Sequence, residues 1–294
     1  GDRAGTRSRL AYIADLGVGG IYLNPILWSD SNHRYDTIDY HSVEPDLGTE
    51  EELKALITEA HALGLRVMID AVFNHCGAKC ALWQDVLEKG PQSDYYHWFC
   101  VNRWPIDAQT HATKQGDYFS FAFVDNMPKF DTSEPDVMEY LTGIAKHWVC
   151  DWKVDGIRFD VGNEISHAFL KHLRLELKKC NPKLFLLGEI WHDAFPWLLG
   201  DEYDSTMNYP FLACVNNFWA DKTQSGTDFM HGINQCYSMY YEQVDRVLFN
   251  LLDSHDTDRL MERCHGNADM FLAQLTVLFT MQGAPGIYYG AEIG

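Results

Sequence analysis

The chain has 294 residues, enough for one large core, and 46% of them are hydrophobic, an ordinary share for a globular protein. A net charge of −19 argues against nucleic acid and anionic membrane as partners, because both are polyanions. No apolar run approaches the roughly 20 residues that a membrane-spanning helix needs.

In chain order, Leu10, Ile13 and Leu16 fall at helical spacing over 7–16, with Gly17 as a stop. Gly20-Ile-Tyr-Leu-Asn-Pro25 reads as a strand. Thr49 and Glu52 make a capping-box pattern, and Leu53, Leu56, Ile57, Ala60 and Leu63 form one apolar helix face closed by Gly64. Arg66-Val-Met-Ile-Asp70 is the next strand. Residues 76–132 are polar and aromatic-rich with poor periodicity, too long for one connection, and read as an insertion. A helix follows with Val137, Leu141, Ile144 and Trp148 on one face, then a strand at 156–161 and a helix bearing Ile165, Phe169, Leu173 and Leu177. Further strands are expected at 184–190, 205–210, 247–253 and 286–290. The alternation predicts right-handed βαβ units and a parallel sheet. The eight cysteines (Cys76, Cys80, Cys100, Cys150, Cys180, Cys214, Cys236 and Cys264) form no Cys-x-x-Cys pair. They read as reduced, mostly buried thiols and point to the cytoplasm.

Three acids end apolar runs: Asp160 after Gly-Ile-Arg-Phe, Glu189 after Leu-Phe-Leu-Leu-Gly, and Asp256 after Leu-Phe-Asn-Leu-Leu-Asp-Ser-His. Such runs read as buried parallel strands, and barrels of this class build their sites at the carboxyl ends. A carboxylate is costly to bury unless it is paired or used. Arg158 lies two residues before Asp160, on the same strand face, where its charge would hold Asp160 in place and keep it ionised.

The surroundings of these acids resemble a known family. Asp70-Ala-Val-Phe-Asn-His75, Gly156-Ile-Arg-Phe-Asp160, Gly188-Glu-Ile-Trp191 and Leu252-Asp-Ser-His-Asp256 look like the four signature segments of the α-amylase family of glycoside hydrolases (family 13), in the family's order. Met127-Pro-Lys-Phe130, Ser31-Asn-His-Arg-Tyr-Asp36, Trp191-His-Asp193, Met207-Asn-Tyr-Pro210 and Gly286-Ile-Tyr-Tyr-Gly290 resemble its neopullulanase, cyclomaltodextrinase and maltogenic amylase subgroup. Phe130-Asp131 stands where that subgroup usually has Leu-Asn, which leaves the choice of glucan open.

The resemblance implies a (β/α)8 TIM barrel with an inserted subdomain after the third strand. The parts would be 1–75 (first helix to third strand), 76–132 (the insertion) and 133–294 (third helix to eighth strand). Seven strands are counted, so the chain reads as a fragment lacking the first strand and last helix. Two open sheet edges would lower its stability.

By the same resemblance Asp160 is the nucleophile and Glu189 the general acid/base, holding its proton at the working pH behind Trp191. Asp256 distorts the sugar, and His75 and His255 bind the same unit. Tyr35 stacks beneath it, and the 14% aromatic content suits such contacts. Trp191 borders the leaving-group side. Glu164 orients water or an acceptor sugar, or is a helix N-terminal acid. Asp70 supports the site. Asn74 ligates calcium in some relatives, and Asp2 resembles a calcium ligand of the subgroup. The expected activity is retaining hydrolysis of α-1,4 bonds in cyclodextrins, pullulan, starch or maltooligosaccharides, with transglycosylation and without a required cofactor. The full-length protein would dimerise through an N-terminal domain. Two alternatives stand beside this: a barrel metallohydrolase with Asp70, His75, Asp160, Glu189, His255 and Asp256 as ligands, and a non-catalytic carbohydrate-binding barrel.

Overall fold

A computed structural model describes residues 2–106, 113–114 and 116–293; residues 107–112 and 115 of the expected insertion lie outside it. The chain divides into two compact units, 1–186 and 187–294.

The first unit opens with two short helices, Arg3–Arg7 and Leu10–Asp15, and leaves the second through Gly17 at φ 81°. Strand β1 (Gly20–Leu23) follows, then an antiparallel pair that the sequence reading missed, β2 (Leu27–Ser29) and β3 (Thr37–Val43). The helix Glu50–Ala62 carries the expected capping box: Glu52 N–H donates to Thr49 Oγ1 at 3.2 Å and Thr49 N–H to Glu52 Oε2 at 2.8 Å. Its core face ends sooner than expected. Leu53, Leu56, Ile57 and Ala60 are buried, but Leu63 is the C-cap and is exposed, because the chain has already begun to turn.

Strand β4 (Arg66–Ala71) lies parallel between β1 and β5 (Gly156–Phe159), with Asp70 level with Arg158. Between them, 76–132 contains the helix Ala81–Lys89 and isolated bridges such as His75–Lys129 and Phe99–Phe130. The helix Pro135–His147 buries Val137, Leu141 and Ile144, and Trp148 follows in a short π turn. The helix His167–Cys180 buries Phe169, Leu173 and Leu177. Phe73 meets Trp148, Phe159 and Phe169 at ring-centroid distances of 5.5, 6.0 and 6.3 Å. The residues just after β4 are therefore anchored by packed rings, each pair adding about 0.5–1.5 kcal/mol to plain burial.

One expectation is corrected here. Cys150 and Cys180 form a disulfide across 30 residues, joining the π turn to the end of the helix His167–Cys180. The other six cysteines are free, and Cys76, Cys80, Cys214, Cys236 and Cys264 are buried as expected.

Strand β6 (Phe185–Gly188) carries the chain out of the first unit. In the second unit Leu187 and Gly188 pair in parallel with β7 (Ser205–Thr206), Met207 bridges to Phe249, and β8 (Phe249–Asn250) pairs in parallel with β9 (Ala284–Pro285). Three expected strands are shorter or displaced; 247–253 gives only Phe249–Asn250. Residues 205–210 give only two strand residues, because Asn208 caps a helix, Tyr209–Trp219, by accepting from Phe211 N–H at 3.2 Å, and Pro210 suits its first turn. The last strand is Ala284–Pro285 and not 286–290. The helices Tyr209–Trp219, Gly226–Cys236 and Ala268–Thr280 enclose this unit's core, with Phe211, Val215, Ile233, Phe271 and Leu278 buried in it.

Candidate active site

Asp160 follows β5 directly and is 7% exposed. The residue after it, Val161, sits at φ 48°, ψ 45°. A β-branched side chain rarely adopts that left-handed conformation, and holding it there costs on the order of 1–3 kcal/mol. The chain is thus turned sharply behind the carboxylate.

Arg158 is fully buried and supplies the counter-charge. Its Nη1 donates to Asp160 Oδ1 at 3.0 Å and lies 2.9 and 2.8 Å from the two carboxylate oxygens of Asp70. Burial alone would lower the guanidinium's pKa. Asp70, then Tyr22, Tyr35 and Asp160, outweigh it and raise it well above its ordinary value. Asp70 Oδ2 also accepts from Tyr22 O–H at 2.5 Å and Tyr35 O–H at 2.9 Å, and the guanidinium lies 5.7 Å from the Tyr35 ring centre. Burial, with Asp70 next for Tyr35, pushes both phenols up, so both stay protonated donors. Arg158 and Asp70 thus form a buried ion pair that also takes the Tyr35 hydroxyl. Tyr22 was missed. Its signal was a phenol inside an apolar strand, which needs a partner for its O–H once buried.

His75 is enclosed by protein groups. Its ring is fully buried and stacks on Phe121 at 5.0 Å. Nε2 lies 2.8 Å from the Tyr35 carbonyl and Nδ1 3.3 Å from Asn74 Nδ2. Both nitrogens therefore have protein partners, and the ring secures the Tyr35 backbone. Burial lowers its pKa to about 4, so the ring is neutral. The Glu164 carboxylate accepts from Lys129 Nζ at 2.7 Å through one oxygen, and its side chain is 42% exposed.

In the second unit, Glu189 follows β6 and is 6% exposed. Gly188 before it has to be glycine, since a Cβ there would come within 2.5 Å of the Tyr203 ring. Trp191 Nε1–H donates to Glu189 Oε1 at 3.1 Å, and the indole lies flat on Tyr209, centroids 3.7 Å apart and planes 8° apart. Trp191 is 50% exposed, so it edges the acid without enclosing it. His255 Nε2 lies 3.1 Å from Asp256 Oδ2. Asp256 N–H donates to Ser254 Oγ at 3.1 Å, which ties the acid into a tight turn.

The calcium expectation does not fit these residues. Asp2 Oδ1 caps the helix Arg3–Arg7 by accepting from Gly5 N–H at 2.7 Å. The Asn74 side-chain oxygen accepts from the Lys129 ammonium, which a cation would have to displace. Among the described residues, the one grouping of three potential ligand side chains is His97, Glu134 and Asp136, on the surface.

Parallel strands that deliver carboxylates from their carboxyl ends define an α/β-barrel domain of the (β/α)8 class. The whole chain, residues 1–294, matches the α-amylase catalytic domain, and it belongs to that family. It is similar to an intracellular maltogenic amylase of Bacillus subtilis (strain 168), 44% identical over all of this chain and 49% of the relative. It is also similar to a cyclomaltodextrinase of Geobacillus thermopakistaniensis (strain MAS1), 45% identical over all of this chain and 49% of the relative. Among solved structures, the ligand-free cyclic α-maltosyl-(1→6)-maltose hydrolase of Arthrobacter globiformis superposes with a TM-score of 0.94 at 35% identity, covering 100% of this chain and 66% of that one. The chain spans about half the length of the curated relatives it matches. No helix among the described residues is long and apolar enough to cross a membrane.

Proposed function

We propose that this chain is the catalytic part of a retaining α-glucan hydrolase, with Asp160 as nucleophile, Glu189 as acid/base and Asp256 as the third acid. In the first step Glu189 protonates the glycosidic oxygen while the Asp160 carboxylate bonds to the anomeric carbon. In the second, water attacks that carbon, Glu189 takes its proton, and Asp160 leaves. This chemistry needs the two carboxyls roughly 5 Å apart. The observation that carries the reading is the grip of buried Arg158 on Asp160, at the strand end where the family's signature segment falls. A nucleophile must be charged and aimed, and a guanidinium fixed by Asp70 does both. The same guanidinium speaks against a metallohydrolase, because a divalent ion bound to Asp70 or Asp160 would face it.

His255, Trp191 and Tyr35 are proposed as sugar contacts, and Arg158, His75 and Glu164 as groups that position. The substrate class, α-1,4-linked cyclodextrins, pullulan, starch or maltooligosaccharides, rests on the family resemblance, and the relatives named maltogenic amylase and cyclomaltodextrinase support it. Product analysis on β-cyclodextrin, pullulan and starch tests it. Maltose and glucose from cyclodextrin, and panose from pullulan, are the expected products; no hydrolysis of any of them sinks the reading. The segment 76–132 is proposed as an inserted subdomain, to be mapped by limited proteolysis. A cytoplasmic location is proposed from the five buried free thiols and from the relative named intracellular, although the Cys150–Cys180 bridge weighs against it. Homodimerisation is proposed on family resemblance alone, and light scattering of the full-length protein decides it.

A further inference from the structure

Lys129 belongs to the segment Met127-Pro-Lys-Phe130, and its side chain has so far appeared only as the partner of Asn74 and Glu164. Around it the backbone is already paired: Phe130 N–H donates to Asn74 C=O at 3.0 Å and Cys76 N–H to Pro128 C=O at 3.2 Å. Its ammonium has three hydrogens and meets three oxygens: Asn74 Oδ1, Glu164 Oε2 at 2.7 Å and the Glu164 carbonyl at 3.3 Å. The Lys129 side chain is 19% exposed; its contact with Asn74 is half-buried, while the Glu164 carboxylate it meets lies at the surface, 42% exposed. An amide oxygen, a carboxylate and a backbone carbonyl are also the ligand types a calcium ion selects.

We propose that the Lys129 ammonium is a built-in cation that does the work of a structural metal, tying the segment 127–130 to the residues after β4 and after β5, and so positioning the nucleophile's surroundings. The tie fixes more than three oxygens. With its oxygen taken by Lys129, the Asn74 amide must present Nδ2, a donor, to His75 Nδ1. His75 Nδ1 then accepts, and Nε2 carries the hydrogen that goes to the Tyr35 carbonyl. Tyr35 O–H in turn donates to Asp70, which holds Arg158 against Asp160. On the other side, Glu164 lies four residues beyond Asp160 in the chain, just after the strained turn at Val161. One ammonium therefore sets an amide orientation, an imidazole tautomer and the exit from β5. Lys129 acts through these groups and is a positioning residue; its role in turnover rests on the function proposed above.

The test compares the wild-type chain with Lys129→Ala and Lys129→Met, reading kcat and KM on β-cyclodextrin and, separately, the melting temperature. Each is measured with ethylammonium or tetramethylammonium chloride at equal ionic strength. The expected result for Lys129→Ala is a loss in kcat of about 10- to 100-fold with a smaller change in KM, and a lower melting temperature. Ethylammonium should recover part of both, because it can donate hydrogen bonds from the vacated position; tetramethylammonium cannot. Lys129→Met, which keeps the stem and leaves no room, should show the losses without rescue. Wild-type melting should be unchanged by EDTA. The proposal is overturned if Lys129→Ala keeps wild-type kcat and melting temperature, if the two salts act alike, or if EDTA lowers the wild-type melting temperature. If the wild type hydrolyses no glucan, the functional reading fails while the melting arm still decides the role of Lys129.

Discussion

The surroundings of Asp160 and those of Glu189 are built on different principles. Asp160 is held by charge: one buried guanidinium, a second carboxylate and two phenols, each satisfied by the next. Beside Glu189 rings contribute: a half-exposed indole donates it one hydrogen bond and rests flat on a tyrosine. The difference suits the proposed roles. A nucleophile must stay ionised and aimed, which a rigid ionic frame achieves. An acid/base group must gain and lose a proton in each cycle, and a neutral indole donor accommodates both states.

The comparison breaks most directly at the two acids. Asp160→Asn should remove turnover on every glucan. Glu189→Gln should lose about 10²- to 10⁴-fold in kcat on starch, yet regain most of it on an α-glucosyl fluoride, whose leaving group needs no proton. Rates on the two substrates check this, and an equal loss on both would deny Glu189 its role.

Next in size, Arg158→Met should lower stability by about 3–5 kcal/mol, since two buried carboxylates lose their counter-charge. Urea unfolding measures it. A loss near zero would mean that the ionic frame is not what holds Asp160.

His75 sharpens the contrast through pH. Its pKa is about 4 in the fold against 6.5 for the free side chain, because burial disfavours the charged ring. Between those values the unfolded chain binds the extra proton. The neutral ring's contribution is complete above pH 6.5 and is lost as pH falls toward 4, with a slope of up to about 1.4 kcal/mol per pH unit. Urea midpoints from pH 7 to 4 should show a steeper fall for the wild type than for His75→Gln.

The smallest effect is expected at Trp191→Ala, about 0.5–1.5 kcal/mol from the lost stacking on Tyr209. Melting curves measure it, and Arg158→Met should exceed it several-fold.

What could be read in the sequence follows the length and burial of each element. Strands β4, β5 and β6 are runs of buried apolar residues and were visible, as was the acid after each of the last two. Strands β7, β8 and β9 are two residues each, too short for any period to register. The cap at Asn208 with Pro210 was a legible stop signal that the apolar reading of 205–210 overrode. Arg158 beside Asp160 was legible because two residues on a strand share a face. Its stronger tie to Asp70 spans 88 residues, and the Cys150–Cys180 bridge spans 30; no local pattern encodes either. The motif marked His75 as a sugar contact, and its protein partners Phe121 and Tyr35 lie far from it in sequence, so no local pattern announced them.

In the register of β4 against β5, Asp70 lies level with Arg158, while Ile69 and Ala71 lie level with Ile157 and Phe159. A slip of one residue would set the guanidinium beside Ile69 or Ala71, both sealed from water, and leave a charge stranded at a cost of several kcal/mol. The same side chains that prepare the nucleophile therefore proofread the assembly of the sheet. A molecule that has paired these strands wrongly is penalised before it can present a misaligned site.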